Sequence, residues 1–370
     1  MPGPTDDDFI AAGLHDPDDT SVVGRLDLLR WLADEGFTIA EMQHGHESGA
    51  LGAMVADRWL LGGPTFDRDE AIRRSGLGAA TFDACTVSLG IVPVQAAVDG
   101  VVFTDELLDI HRAVAALEEY FSPSEVMALV RTIGTAVDRM AESVVGVFLT
   151  DIESEHVNQR RSEYELGQLV LGATQLLDGL GSRLDPLLRR HVLQAIERTR
   201  ASTIDEFERF QFTYAVGFVD LVGFTPMSAA MTARELVAFM ADFEARSHEV
   251  ALAEGARVVK LIGDEVMFVA TDPDRGCRAG AALIDTFADE HNGVAPRGGM
   301  AYGPVALRGG DYFGSVVNLA SRLTDDATPG EVLVSTELAA AASGCVFRPA
   351  GRRHPKGFAE PVDVSSLVRT

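Results

Sequence analysis

The hydrophobic period of the chain changes near residue 200, and that change constrains the fold more than any other feature. Before it, apolar residues recur at three- and four-residue intervals. In VVGRLDLLRWLADEG, residues 22–36, Leu26, Leu29 and Leu32 share one helix face and Gly36 follows the end. After it, runs such as FTYAVGFVDLVG, residues 212–223, have the length and composition of a buried strand. The switch predicts an α+β protein: an all-α domain over residues 1–200, ending in a linker helix, then a mixed domain over 201–370.

The helical half reads as short hairpins. FTIAEMQHG forms a second short helix, and TFDRDEAIRRSG and GAATFDACTVSLGI a further pair. FTDELLDIHRAVAALEEYF is a longer amphipathic helix. Ser122 and Pro123 open the next one, with proline in its favoured first turn. Within that helix MAESVVGVFL, residues 140–149, reads as bundle core, with the wall of an apolar pocket as the alternative. DPLLRRHVLQAIERTRAS bridges to the second half.

In that half the strand at 212–223 precedes the helix TARELVAFMADFEARSHEVALAEG. ARVVKLIGDEVMFVA folds as two strands about a Gly263-Asp264 turn, and DRGCRAGAALIDTFADEH is helical. VAPRGGMAYGPVALRGG reads as a pair of strands, GSVVNLASRLTDDA as a helix, and EVLVSTEL and PVDVSSLV as edge strands. The order βαββαβ predicts a ferredoxin-like core.

A net charge of −25 argues against nucleic acid, which binding proteins meet with basic patches, and against anionic membranes. The first two helix pairs are therefore read as structural packing rather than DNA-binding units. No apolar run reaches the ~18 residues of a membrane span. MPGPTDDDF lacks the features of a signal peptide, and Cys85, Cys277 and Cys345 are too scattered for a disulfide framework or zinc site. The expected location is the cytoplasm.

Two side-chain patterns carry chemistry. Asp220 ends an apolar strand, where an ionised carboxylate is costly unless a cation faces it. Lys260 and Lys356 are the only lysines, beside 29 arginines, and an ammonium does not replace a guanidinium where one point charge must meet one acceptor.

FVDLVGFT, VVKLIGDEVMF, GDYFGSVVNLASRL and PKGF, in this order and spacing, resemble the successive motifs of the class III nucleotide cyclases over residues 211–368. The helical half is similar in layout to the regulatory domain of soluble actinobacterial adenylate cyclases. The resemblance implies that Asp220 and Asp264 hold two Mg²⁺ or Mn²⁺ ions per site. Hard oxygen donors completed by substrate phosphates suit such ions, which lie ~3.5–4 Å apart in two-metal sites. It also implies that Asn318 orients the ribose and Arg322 stabilises charge on the α-phosphate. It further implies that Lys356 contacts the terminal phosphates; the turn and helix start at Phe224 and Thr225 read as a helix cap that is also able to cradle phosphate. Lys260 and Asp311 complement adenine, where guanylate cyclases typically carry Glu and Cys.

The expected activity is conversion of ATP to 3′,5′-cyclic AMP and pyrophosphate by a homodimer with two shared active sites. The alternatives are a guanylate cyclase or a nucleotide-binding signalling module without catalysis. The helical half is expected to regulate, with a proton or a lipid-like ligand as input; His44, His46, His111, His156 and His191 are its titrating candidates.

Overall fold

The computed structural model describes residues 3–19, 23–91, 103–148, 162–202, 212–288 and 294–369. Two compact units emerge, residues 1–187 and 188–370.

In the first unit the helices are α1 (Asp6–Ala11), α2 (Arg25–Asp34), α3 (Ile39–Glu47), α4 (Met54–Leu61), α5 (Arg68–Ser75), α6 (Ala79–Ser88), α7 (Asp105–Leu117), α8 (Pro123–Val147) and α9 (Glu163–Gln175). The next helix, α10 (Leu180–Ser202), contains the division between the units. Local chemistry sets many of the starts: reciprocal capping boxes join Thr38 to Glu41 and Ser162 to Glu165. Leu28, Leu29 and Leu32 of α2 are buried with Phe9 and Met42, each large side chain contributing roughly 1.5–3 kcal/mol by leaving water. A second core gathers Phe82, Cys85, Phe103, Leu108, Val114, Val126 and Val130.

Residues 140–148 depart from the expected bundle core, and Leu149 of that stretch lies outside the described residues. On α8, Met140, Val144, Val145 and Val147 are all exposed. Only the first half of that helix has buried residues, at Val126, Val130 and Gly134. Apolar composition does not reveal whether neighbouring elements reach a helix face. Among the candidate histidines, His111 is fully buried, stacked on Phe82 at 4.5 Å, with its Nε2 3.1 Å from the Thr86 hydroxyl. His44, His46 and His191 are exposed, and His156 lies outside the described residues.

The second unit begins its sheet with β1 (Phe212–Val222), followed by α11 (Phe224–Ala230) and α12 (Ala233–Ala253). The hairpin β2 (Arg257–Ile262) and β3 (Glu265–Ala270) turns at Gly263, whose φ of 63° suits glycine. Then come α13 (Pro273–Ala288), β4 (Ala295–Arg308), β5 (Asp311–Phe313), α14 (Ser315–Asp326), β6 (Val332–Ser335), α15 (Thr336–Ala341), β7 (Phe347–Arg353) and β8 (Val362–Leu367). The strand order β2-β3-β1-β4 is the ferredoxin-like core, extended by β6-β8-β7.

Two strand expectations are corrected. The glycine-rich segment after residue 294 is one fourteen-residue strand, not a pair. Its glycines admit close approach rather than break the strand: a Cβ on Gly299 would lie 2.1 Å from the Thr324 nitrogen and 2.4 Å from the Ala320 oxygen of α14. The strands at 332–335 and 362–367 are interior, because β6 lies between β4 and β8, and β8 between β6 and β7. The edge on that side is β7, whose FRPAGRR carries too many polar residues to read as a strand.

Side-chain alternation sorts the sheet into two faces. Val219 and Leu221 face a core with α12 and α13. Tyr214, Val216 and Phe218 face a core with Val316 and Ala320 of α14.

Candidate active site

The period of two that aims Tyr214, Val216 and Phe218 at α14 also puts Asp220 on that face. Register adds its neighbours: Asp220 pairs with Glu265 of β3 on one side and Arg297 of β4 on the other. Both flanking residues therefore share its face, and three distant segments of sequence meet there.

The cation opposite Asp220 in this structure is Arg297. Its Nε and Nη2 donate to Asp220 Oδ2 at 3.0 and 2.9 Å, while Nη1 donates to the Asp325 carbonyl at 2.7 Å. An arginine therefore meets the same carboxylate that is expected to hold metal. Arg297 and Glu265 are functional candidates that the sequence reading missed. The contact spans 77 residues and becomes visible only once β1 and β4 are in register.

Negative charge still accumulates here. Burial, with the nearby charge of Asp220, holds the Asp264 carboxyl above its ordinary value despite Arg297. Burial first, then Asp220, Asp325 and Asp264, push Glu265 up to about 7. Asp264 occupies the β2–β3 turn beside Asp220's end of β1. Among the described residues no group of three or more His, Cys, Asp or Glu side chains is arranged to hold a metal ion. The donor set nevertheless fits divalent cations that arrive with phosphate: two hard carboxylates repel each other, and Asp220 directs its bonds to Arg297 through Oδ2 alone.

Lys260 owes its direction to a bulge. Residues 257 and 260, three apart, would face opposite sides of a regular strand. The register shifts between Val258 and Lys260, so Arg257 pairs with Val269 and Lys260 with Met267, both on the α14 face. Lys260 Nζ thereby reaches the Asp311 carboxylate Oδ2, while Oδ1 accepts the Tyr312 N–H at 2.8 Å. The two residues expected to read the base are brought together within one chain.

Asn318 and Arg322 lie four residues apart on α14, opposite its packed side of Val316, Ala320 and Leu323. Arg322 Nη1 pairs with Asp325 at 3.0 Å on its own helix. Of the basic residues near Lys356, Arg352 is committed to Asp363 at 2.9 Å and Arg353 to backbone carbonyls. Lys356 sits exposed in a turn with no ion pair among the described residues. Phe224 packs on Phe239 with ring centroids 5.6 Å apart, so its side chain serves the core and its backbone faces the turn. Thr225 is exposed one residue later, in the first turn of α11.

A ferredoxin-like sheet with two carboxylates beside the end of β1 and a lysine–aspartate pair on the same face is the arrangement expected of a nucleotide cyclase domain. Residues 210–357 match the family described as the adenylate and guanylate cyclase catalytic domain. An uncharacterised protein of Mycobacterium tuberculosis is 30% identical over 329 residues, 89% of this chain and 85% of that protein. The chain belongs to the class III nucleotide cyclases. A protein named adenylate cyclase from Streptomyces coelicolor is 36% identical over 233 residues, 62% of this chain and 59% of its own length. One named pH-sensitive adenylate cyclase, from Mycobacterium tuberculosis, is 26% identical over 366 residues, covering 95% of this chain and 90% of that one. Among the described residues, no helix is long and apolar enough to cross a membrane.

Proposed function

We propose that the chain converts ATP to 3′,5′-cyclic AMP and pyrophosphate, and the observation that carries this reading is the Lys260–Asp311 pair. Adenine offers an acceptor at ring N1 and a donor at its 6-amino group. A lysine donor beside an aspartate acceptor complements that edge, whereas guanine presents the reverse. A site built to bond one edge leaves buried polar groups unpaired with the other. The similarity to proteins named adenylate cyclase supports the same choice.

Asp220 and Asp264 would hold two divalent ions, Mg²⁺ or Mn²⁺, which activate the ribose 3′-hydroxyl and neutralise the pyrophosphate leaving group when bound. Arg297 orients the Asp220 carboxylate before substrate arrives. Asn318 positions the ribose, and Arg322 places a fixed cation where charge develops on the α-phosphate, a contribution typically among the largest in catalysis. Lys356, the least committed cation of its segment, receives the terminal phosphates, with the Phe224–Thr225 backbone beside them. Asn318 and Arg322 lie on the side of α14 turned from the sheet that carries Asp220. This supports a head-to-tail homodimer in which each site takes its carboxylates from one chain and its Asn-Arg pair from the other.

Residues 1–200 would act as the regulatory domain. A proton is the favoured input, given the overall similarity to a protein named pH-sensitive and the buried imidazole of His111. A lipid-like ligand is the second candidate, and the exposed apolar side chains of α8 offer it a surface.

The purine assignment is tested by Lys260→Glu with Asp311→Cys, assayed for cyclic AMP and cyclic GMP. The double variant should lose its preference for ATP and gain turnover of GTP. Undiminished ATP preference would remove the basis for this reading.

A further inference from the structure

The strand that carries Asp311 is only three residues long and hydrogen-bonds to β4 alone. Its position against β2, the strand of Lys260, therefore depends on side chains. Two bridges span the gap. One is Lys260–Asp311; the other joins Arg257 Nη2 to the Tyr312 hydroxyl at 3.0 Å. The β2 bulge turns both donors to one face, and Asp311 and Tyr312 are consecutive.

The second bridge is anchored more firmly than the first. Tyr312 is 4% exposed, and its ring meets Tyr214 of β1 edge-on with centroids 5.1 Å apart. Arg257 Nε is buried and has no hydrogen-bond partner among the described residues. Leaving that group dry is costly, so the guanidinium is held there by its remaining bond and by contact with the aromatic ring. Asp311 is in turn tied to Tyr312 by the 2.8 Å bond from the Tyr312 N–H to its Oδ1. The first bridge must also open in use: Lys260 and Asp311 cannot satisfy each other and a purine edge with the same bonds. Once they part, Arg257–Tyr312 is the bridge left to keep β5 in register with β2.

We propose that Arg257 and Tyr312 are a positioning pair for purine selectivity, holding the Asp311 carboxylate at the spacing from Lys260 that matches adenine. This rests on reading Lys260 and Asp311 as the base-facing residues. Neither Arg257 nor Tyr312 is assigned a contact with the nucleotide through its side chain.

The test uses the full-length protein and three variants: Tyr312→Phe, Arg257→Lys and the double substitution. Tyr312→Phe keeps the ring against Tyr214 and removes only the hydroxyl; Arg257→Lys gives an independent route should either variant fold poorly. The kcat/KM for ATP and for GTP is measured with Mn²⁺, together with Tm. Each single variant should lower the ATP-to-GTP ratio by about tenfold, the scale of one hydrogen bond to a charged group. Most of the loss should appear in KM for ATP. The double variant should be no worse than either single one, because all three lose the same bond. A lower Tm with an unchanged ratio would mean a purely structural role and overturn the proposal, as would additive losses in the double variant. Both results leave the adenylate cyclase reading intact. Failure of the unmodified protein to cyclise either nucleotide would instead remove that reading, and this inference with it.

Discussion

Replacing Arg297 with Met keeps much of the side chain's length and removes the cation facing Asp220. Three bonds disappear: two to Asp220 Oδ2, at 3.0 and 2.9 Å, and one to the Asp325 carbonyl, at 2.7 Å. The paired side chains are 24% and 21% exposed, which places them between surface and buried ion pairs. Surface pairs are worth about 0–1 kcal/mol and breaking buried ones costs about 3–5, so a loss of about 2 kcal/mol is expected for the metal-free protein. In a unit of this size that lowers Tm by roughly 4–8 °C. The same variant leaves Asp220, Asp264 and Glu265 close together without their arginine, so added Mn²⁺ should restore more stability than it gives the unmodified protein. Differential scanning fluorimetry with and without Mn²⁺ reads both effects. A Tm within ~1 °C of the parent would refute the stabilising role of the pair. An equal Mn²⁺ shift in both proteins would refute the placement of the metal at this carboxylate cluster.

Gly299→Ala should destabilise the catalytic unit by about 3 kcal/mol or more, because the new methyl meets α14 backbone that cannot turn aside; chemical denaturation measures it. Burial holds the His111 imidazole below its ordinary value, so the unfolded chain takes up this proton first as pH falls. The stability concerned is present above about pH 6.5 and is lost as pH drops from there towards the lowered folded value. The protection factors of the α6 and α7 amides, which are exchange rates corrected for their intrinsic pH dependence, should therefore fall between about pH 7.5 and 5.5, and His111→Phe should flatten that response. Mixing inactive Asp220→Ala chains with inactive Arg322→Ala chains should restore turnover, since a mixed dimer contains one intact site. Exchange of subunits without recovery would rule out the shared site.

Much of the fold was legible because its signals are local. The β1 run, the Gly263-Asp264 turn and the capped helices each depend on residues within a few positions of one another. The glycine-rich β4 was misread because glycine normally weakens a strand. Here Gly299 exists for a helix whose approach only the folded sheet reveals. The start of α9 is equally local, announced by the Ser162–Glu165 capping box. In the site, Asp220, Asp264, Lys260 and Asp311 stood out through motif and spacing. Arg297 did not, because a single arginine among 29 has meaning only through strand register. Nor did composition foretell the bulge that aims Lys260 at Asp311.

The most direct measurement is product formation by the purified full-length chain given ATP or GTP, in Mn²⁺ and in Mg²⁺, beside its Asp220→Ala variant. The expected result is cyclic AMP from ATP, far less cyclic GMP from GTP, and no product from the variant. Equal rates with the two nucleotides, or full activity without the Asp220 carboxylate, would contradict it.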